Sequence, residues 1–163
     1  MRHRAKSADE RLQNGVAKHR RDPLTRFFRV MSGFGSLFFA STLSSLIYRS
    51  GDKELAKRFL IGTTIAKIST HGLKRYFGRS RPENSIVKTS SNSFPSGHTT
   101  AAFASAAILG SRYKEGKNLL YSVAALTGLS RLYLGAHYLS DIIAGAVIGE
   151  IWGKIFSEKS KQT

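Results

Sequence analysis

The chain has 163 residues, enough for one domain, and its formal net charge at pH 7 is +16. It contains no cysteine, which excludes disulfides and thiolate metal sites. The charge indicates a polyanionic partner or an anionic membrane surface, although a solvated basic face would give the same composition. No recognised RNA- or DNA-binding motif is present, so we expect no nucleic-acid partner.

Residues 1–29 form a basic leader with nine Lys and Arg residues. Ser7 followed by Glu10 predicts a capping box and a short helix over about 8–20. Cationic and aromatic side chains share the segment 26–29, as they do where a chain lies at a membrane surface. We therefore expect the leader to be an interfacial segment that contacts anionic lipids.

The rest of the chain is predicted to be helical. Asp22-Pro23 predicts the start of a helix, with Asp22 as N-cap. Gly, Pro, Asn, Ser and Thr dominate residues 78–95, which we expect to be a loop, and 158–163 is expected to be a polar tail. No period-two strand pattern occurs. The predicted fold is all-α, with residues 30–157 as the functional domain and helices at about 30–49, 53–77, 97–112, 117–135 and 137–157.

Hydropathy alone does not decide whether these helices cross a membrane. The uncharged segment 30–48 is about long enough to span a bilayer. Later segments carry internal charges such as Lys67 and Glu150. A charge at the centre of a membrane helix costs about 2.5 to 3.5 kcal/mol, so such charges should face the bundle interior or lie near helix ends. A soluble helical bundle remains the alternative at this point.

The first chemically informative stretch contains Lys74, Arg81 and Pro82. Lys74 and Arg81 are seven residues apart and would share a helix face if the helix reached Arg81, although Pro82 marks a break. Phosphoryl transfer places negative charge on the equatorial oxygens, which cations in fixed positions stabilise. Taken alone, the same residues could be a basic helix end near lipid head groups.

The second stretch is Pro95-Ser96-Gly97-His98, which precedes a run of small residues. Ser96 is a candidate N-cap, and Gly97 allows the backbone to approach a ligand closely. His98 would then lie in the first turn of a helix whose N–H groups face an anion. An ordinary loop-to-helix junction with a surface histidine is the alternative.

The third stretch contains Arg131, His137 and Asp141. His137 and Asp141 are four residues apart, so their side chains would meet on a helix. A carboxylate that accepts from one imidazole nitrogen leaves the other free to attack. A bend at Gly135 would bring Arg131 to the same phosphate. Taken singly, a His–Asp pair at this spacing is more often a helix-surface contact.

Together, the three stretches between residues 74 and 141 resemble the signature of the phosphatidic acid phosphatase type 2 family, which includes lipid phosphatases, bacterial acid phosphatases and vanadium haloperoxidases. The resemblance implies that His137 is the nucleophile and forms a phosphohistidine, that Asp141 orients it, and that His98 is the acid–base group. It implies no metal and no cofactor. The phosphate-binding residues that it implies are Lys74, Arg81, Ser96, Gly97 and Arg131.

The resemblance further implies an integral membrane bundle, here of about five transmembrane helices against the six of typical membrane members. The expected substrate is a lipid phosphate or diphosphate, such as phosphatidic acid, phosphatidylglycerol phosphate or a polyprenyl phosphate. Helix parity and the basic leader favour a bacterial inner-membrane protein with a cytoplasm-facing site. A lipid phosphotransferase with the same phosphohistidine, and a non-catalytic basic membrane or nucleic-acid binding protein, are the alternatives; the sequence does not predict an oligomeric state.

Overall fold

The computed structural model describes residues 7–89 and 92–157, so the predicted polar tail at 158–163 lies outside the described residues. Within these ranges the chain is helical and has no strand, which confirms the all-α prediction. The seven helices of the described residues are α1 (Ala8–Lys18), α2 (Asp22–Gly33), α3 (Leu37–Arg49), α4 (Lys53–Phe77), α5 (Gly97–Arg112), α6 (Lys117–Tyr133) and α7 (Leu139–Phe156).

The basic leader contains α1 and most of α2. The predicted capping box is present: the Ser7 hydroxyl accepts from the Glu10 N–H at 3.2 Å, and the Glu10 carboxylate accepts from the Ser7 N–H at 2.9 Å. The predicted start of the second helix was wrong by one residue. Arg21 is the N-cap, with an extended backbone at φ −136° and ψ 145°, and Asp22 is already helical.

The single helix predicted over 30–49 is broken between α2 and α3. Ser36 caps the new helix, because its hydroxyl accepts from the Phe39 N–H at 3.1 Å. Gly35 lies so close to α5 that a Cβ on it would be 2.5 Å from the His98 carbonyl oxygen. The break therefore brings the chain against the first turn of α5, a tertiary contact that the uncharged composition of the segment does not predict.

The described residues form seven helices, against about five that were predicted as transmembrane helices. Besides the leader helix α1, which was predicted, the interruption after Gly33 makes α2 and α3 separate helices. Judged by length and hydropathy, none of the described helices qualifies on its own as a membrane span. The pair α2 and α3, bent by 57°, does qualify when the two are taken together.

Small residues let the central helices pack closely. α5 contacts α4, α6 and α7. Gly149 of α7 lies against α5, and a Cβ there would be 2.9 Å from the Phe103 Cβ. Gly145 and Gly153 lie four residues to either side on the same face and make similarly close approaches. Close packing of α7 on α5 fixes the relative height of their N-terminal ends, where two of the predicted motifs lie.

The loops divide between two ends of the bundle. At one end, Arg112 pairs with Asp52 at 3.3 Å, which joins the α5–α6 turn to the α3–α4 turn. At the other end, the Ser96 N–H donates to the Asp141 carbonyl oxygen at 3.0 Å, which joins the start of α5 to the start of α7. This second end also receives the C-terminal ends of α4 and α6, and it holds all three predicted motifs.

Candidate active site

A cavity of about 210 Å³ opens where these helix ends meet. Three histidines and five cationic side chains contribute to its wall, and no carboxylate does. Six of the eight predicted site residues line it; the other two, Ser96 and Asp141, lie behind the wall. The lining residues are Lys67, Thr70, His71, Lys74, Arg81, Lys88, Thr89, Gly97, His98, Arg131 and His137.

Lys74 and Arg81 reach the cavity from different elements. α4 ends at Phe77, and Gly78 follows as its C-cap at φ 57°, so Arg81 belongs to the loop rather than to the α4 face. Both side chains nevertheless meet at one acceptor. Lys74 Nζ donates to the Asn92 carbonyl oxygen at 2.7 Å, and Arg81 Nη2 donates to the same oxygen at 3.2 Å. The loop is thereby tied back to α4.

The start of α5 brings Gly97 and His98 to the cavity, but not the Ser96 hydroxyl. Ser96 is fully buried and caps α5, since its oxygen accepts from the Thr99 hydroxyl at 2.9 Å and from the Thr99 N–H at 3.4 Å. A Cβ on Gly97 would lie 3.2 Å from Thr70 Oγ1, so glycine keeps this wall open. The first N–H groups of α5 therefore adjoin the cavity.

His137 lies in the turn between α6 and α7. α6 ends at Tyr133, two residues before its predicted end, and α7 begins at Leu139, two residues after its predicted start. Gly135 makes the turn at φ 72°, and the backbone folds back so that the His137 N–H donates to the Arg131 carbonyl oxygen at 3.2 Å. Asp141, in the first turn of α7, accepts from the Tyr138 N–H at 3.0 Å with Oδ2. The same oxygen lies 3.4 Å from His137 Nδ1, so the predicted pair forms across the helix start.

The second imidazole nitrogen of His137 faces a cation. Arg81 Nη1 lies 3.2 Å from His137 Nε2 and 2.5 Å from the Ala136 carbonyl oxygen. Because a guanidinium can only donate, we assign a lone pair to Nε2 and the ring proton to Nδ1, which faces Asp141. This tautomer presents a nucleophilic nitrogen to the cavity.

The electrostatics of the turn keep this imidazole neutral at pH 7. Burial has the largest effect and lowers the pKa of His137. The hydrogen bond with Asp141 opposes that effect. The charges of Arg81, Lys74 and Arg131 reinforce it, and the pKa of His137 falls to about 4.

Comparison with known proteins identifies the family. The family model for the PAP2 superfamily matches residues 55–161, about two thirds of the chain. The chain belongs to the PAP2 superfamily. It is 30% identical to phosphatidylglycerophosphatase B of Bacillus subtilis over 180 aligned positions, which cover 96% of this chain and 86% of that protein.

Two other proteins also resemble the chain. A lipid A 1-phosphatase of Porphyromonas gingivalis is 41% identical over 86 residues, half of this chain. The solved structure of Aquifex aeolicus LpxE matches with a TM-score of 0.79 and 28% identity, over 96% of this chain and 98% of that chain. The chain spans only 18% to 56% of the length of the lipid A 1-phosphatases that it matches.

Sequence reasoning missed several residues of this PAP2 site. Lys88 and Thr89 line the cavity from the 78–95 loop, where neither spacing nor a helical face gave a signal. Lys67 was not missed in the same way: predicted as an internal charge that faces the bundle interior, it lines the cavity from within α4, where its Nζ also donates to the Gly35 carbonyl oxygen at 3.2 Å. Arg79 gave no signal of its own in the sequence, because several basic residues lie near the end of α4. It makes an ion pair with Asp141 at 2.7 Å and so belongs to the support of His137.

Residues 7–89 and 92–157 contain no group of three or more His, Cys, Asp and Glu side chains placed to bind a metal ion. Arg131 Nε is buried without a protein partner, although Arg131 Nη1 donates to the Ser32 hydroxyl. A phosphate oxygen in the cavity is the kind of acceptor that this N–H lacks.

Proposed function

We propose that the chain is a metal-independent phosphatase that hydrolyses a lipid phosphate monoester through a phosphohistidine on His137. One observation carries the proposal: Nε2 of a buried histidine, to which we assign a lone pair, faces a small cavity whose five charged side chains are all cations. Five such cations offset the charge of a phosphate dianion and of the transition state, which is the work that a metal ion does in other phosphatases.

The first half-reaction forms a nitrogen–phosphorus bond. His137 Nε2 attacks the phosphorus atom, and the bond from phosphorus to the lipid oxygen breaks. His98, on the wall formed by the start of α5, donates a proton to the leaving oxygen. A phosphate dianion in the cavity places negative charge beside His98, which stabilises the protonated imidazole that this step needs. Asp141 balances the positive charge that develops on His137.

The second half-reaction releases phosphate. A water molecule gives its proton to His98 and attacks the phosphorus atom, and the bond to His137 Nε2 breaks. Lys74, Arg81 and Arg131 hold the equatorial oxygens in both steps, together with the N–H groups at the start of α5. The cycle returns each histidine to its starting state and consumes one water.

We propose that the protein is embedded in a bacterial inner membrane. Large apolar side chains point away from the bundle, and on α7 a stripe at four-residue spacing is more than half exposed: Ile143, Val147, Ile151 and Ile155. An apolar surface of this kind fits lipid better than water. The related phosphatidylglycerolphosphate phosphatase of Bacillus subtilis, whose structure matches with a TM-score of 0.80 at 24% identity, is a transmembrane protein.

The orientation that we propose places the site at the cytoplasmic face. The leader contacts the loops of the site, so both lie at the same end of the bundle. Nine Lys and Arg residues in 1–29 favour a cytoplasmic location for that end, and they would contact anionic lipids there.

A phosphate-release screen tests the function and its substrate class. Purified protein in detergent is supplied with phosphatidic acid, phosphatidylglycerol phosphate, a polyprenyl phosphate, a lipid A precursor and soluble phosphate esters, each with and without EDTA. We expect release from at least one lipid, unaffected by EDTA and inhibited by vanadate. Release that requires an added divalent cation, or no release from any lipid, would contradict the proposal.

A further inference from the structure

Arg79 joins three elements at the back of the site. Its Nη1 donates to Asp141 Oδ1 at 2.7 Å and to the Ser140 hydroxyl at 2.6 Å. Its Nη2 donates to Asp9 Oδ2 at 2.8 Å. The guanidinium also stacks over the Tyr138 ring, with 4.3 Å between its central carbon and the ring centroid. Arg79 does not line the catalytic cavity, so these contacts do not serve phosphate binding.

Asp9 is the far end of this arrangement and comes from the leader. Besides Arg79, the Asp9 carboxylate accepts from the Ser140 N–H at 3.3 Å and from the Ser140 hydroxyl. Ser140 is in the first turn of α7, where an anion is favoured by the free N–H groups and the helix dipole. Asp9 therefore holds the start of α7 and Arg79 at the same time.

The contacts run without interruption to the nucleophile. Asp9 holds Arg79, Arg79 holds Oδ1 of Asp141, and Oδ2 of Asp141 lies 3.4 Å from His137 Nδ1. Asp141 is fully buried, so its carboxylate needs a cation as well as hydrogen bonds. Arg79 supplies that cation from the side opposite to His137. This leaves the imidazole side of the carboxylate free to orient His137.

The pKa shifts of Asp9 and Arg79 are consistent with these contacts. Burial acts to raise the pKa of Asp9, but the hydrogen bonds from Arg79 and Ser140 outweigh it, and the pKa is lowered. Burial acts to lower the pKa of Arg79, but its contacts with Asp9 and Asp141 raise it. Both groups are therefore charged at neutral pH. From Asp9 to His137, the groups in contact are in turn a carboxylate, a guanidinium, a carboxylate and an imidazole.

Other contacts fix α1 in place. Gln13 Nε2 donates to the Leu132 carbonyl oxygen at 3.0 Å, at the end of α6. Arg20 Nε donates to the Tyr133 carbonyl oxygen at 2.7 Å, and Arg20 Nη1 donates to the Asn84 carbonyl oxygen at 2.6 Å. The leader thus contacts both the end of α6 and the 78–95 loop.

We propose that Asp9 and Arg79 are positioning residues for the nucleophile, so that the N-terminal helix is a part of the catalytic apparatus rather than a membrane-surface segment alone. The inference rests on the proposed function, because it assigns these residues to the orientation of His137. It concerns the rate of the chemical step and not the affinity for phosphate.

The test separates these two quantities. Asp9→Asn removes the charge and keeps the size, and Arg79→Lys keeps the charge but cannot hold three partners in one plane. Asp22→Asn, an exposed carboxylate at the start of α2, is the matched control. We expect kcat, expressed per folded protein, to fall about 10- to 100-fold in the first two variants and to stay unchanged in the control. The inhibition constant for inorganic phosphate should stay within a factor of two in all three.

A double variant tests whether the two residues act as one unit. We expect Asp9→Asn combined with Arg79→Lys to lose little more kcat than the more affected single variant, since both changes break the same support. Multiplicative losses, or a loss of affinity for inorganic phosphate in step with kcat, would overturn the positioning role. Unchanged turnover in Asp9→Asn, while His137→Ala is inactive, would overturn it and leave the proposed function standing; full turnover in His137→Ala would overturn both.

Discussion

At the residue scale, the cavity combines many cations with a neutral imidazole. An exposed histidine is half protonated near pH 6.5, and a nearby carboxylate raises that pKa further. A protonated imidazole is not a nucleophile. Here burial and the cations hold His137 neutral, while Asp141 is ready to balance the charge that appears on attack. The same cations that bind phosphate therefore also keep the nucleophile active.

Substituting each histidine separates the two proposed roles. His137→Ala removes the attacking atom, and we expect phosphate release to fall below detection. His98→Ala removes only the proton transfer, so we expect a loss of about 10²- to 10⁴-fold. His19→Ala, on the exposed end of α1, is the matched control and should keep full activity. Full activity in either cavity variant would refute its assigned role.

The pH dependence of kcat/KM reports the ionisation of the free protein. His137 is neutral above its pKa of about 4, so activity is present above that value and is lost as the pH falls through it. After correction for the titration of the substrate phosphate, we expect the acid limb near pH 4. The facing charged groups are Asp141, Arg81, Lys74 and Arg131, and Arg81→Gln should move the limb to higher pH because it removes a cation. An acid limb at pH 6.5 or above in the wild type would be incompatible with this account.

The sequence predicted most residues of the cavity because they belong to short local patterns. Lys74, Arg81, His98 and His137 each stand at a recognisable helix end or break, and the structure brings all four to one cavity. Ser96 was expected to hold phosphate, but its oxygen is engaged in capping α5. Asp9 and Arg79 could not be paired from the sequence, since 70 residues separate them and only the fold brings them together.

At the element scale, the packing of α7 on α5 positions Asp141 relative to Ser96 and Gly97. A side chain on Gly149 would overlap the Thr100 carbonyl oxygen and lie 2.9 Å from the Phe103 Cβ. Gly149→Ala should therefore destabilise the protein by about 1 to 3 kcal/mol. Gly72→Ala, where no atom lies within 4 Å of the new Cβ, should stabilise α4 by about 0.5 to 1 kcal/mol. Thermal unfolding in detergent measures both, and equal stability of the two variants would contradict this description of the helix contact.

Helix positions were predictable where caps and turn residues mark them. The predicted bounds of α4 and α5 agree with the structure, since Asp52 and Ser96 are caps and Gly78 ends α4. The break after Gly33 was not predicted, because an uncharged composition gives no sign of a contact between Gly35 and α5. The end of α6 was placed two residues late for a similar reason: the turn through Gly135 is set by its contact with the Asn84 loop.

At the scale of the whole molecule, the site and the leader lie at one end of the bundle, and the turn at 113–116 lies at the other. Because the chain has no cysteine, single cysteines can be added as probes. Lys18→Cys lies on α1 and Lys114→Cys on the far turn, and both positions are exposed. For a cytoplasm-facing site, we expect an impermeant thiol reagent to label position 114 but not position 18 in spheroplasts. Labelling of position 18 alone would reverse the proposed orientation.

The central claim is that phosphate is carried by His137, and trapping the intermediate tests it most directly. An aryl phosphate has a leaving group that needs no proton, so His98→Ala should still be phosphorylated while the loss of its base slows hydrolysis. After mixing with a radiolabelled aryl phosphate and rapid quenching in base, we expect acid-labile label on His137, approaching one phosphate per chain. Turnover of the aryl phosphate by the wild type with label on another residue, or with no protein-bound label in the variant, would contradict the account.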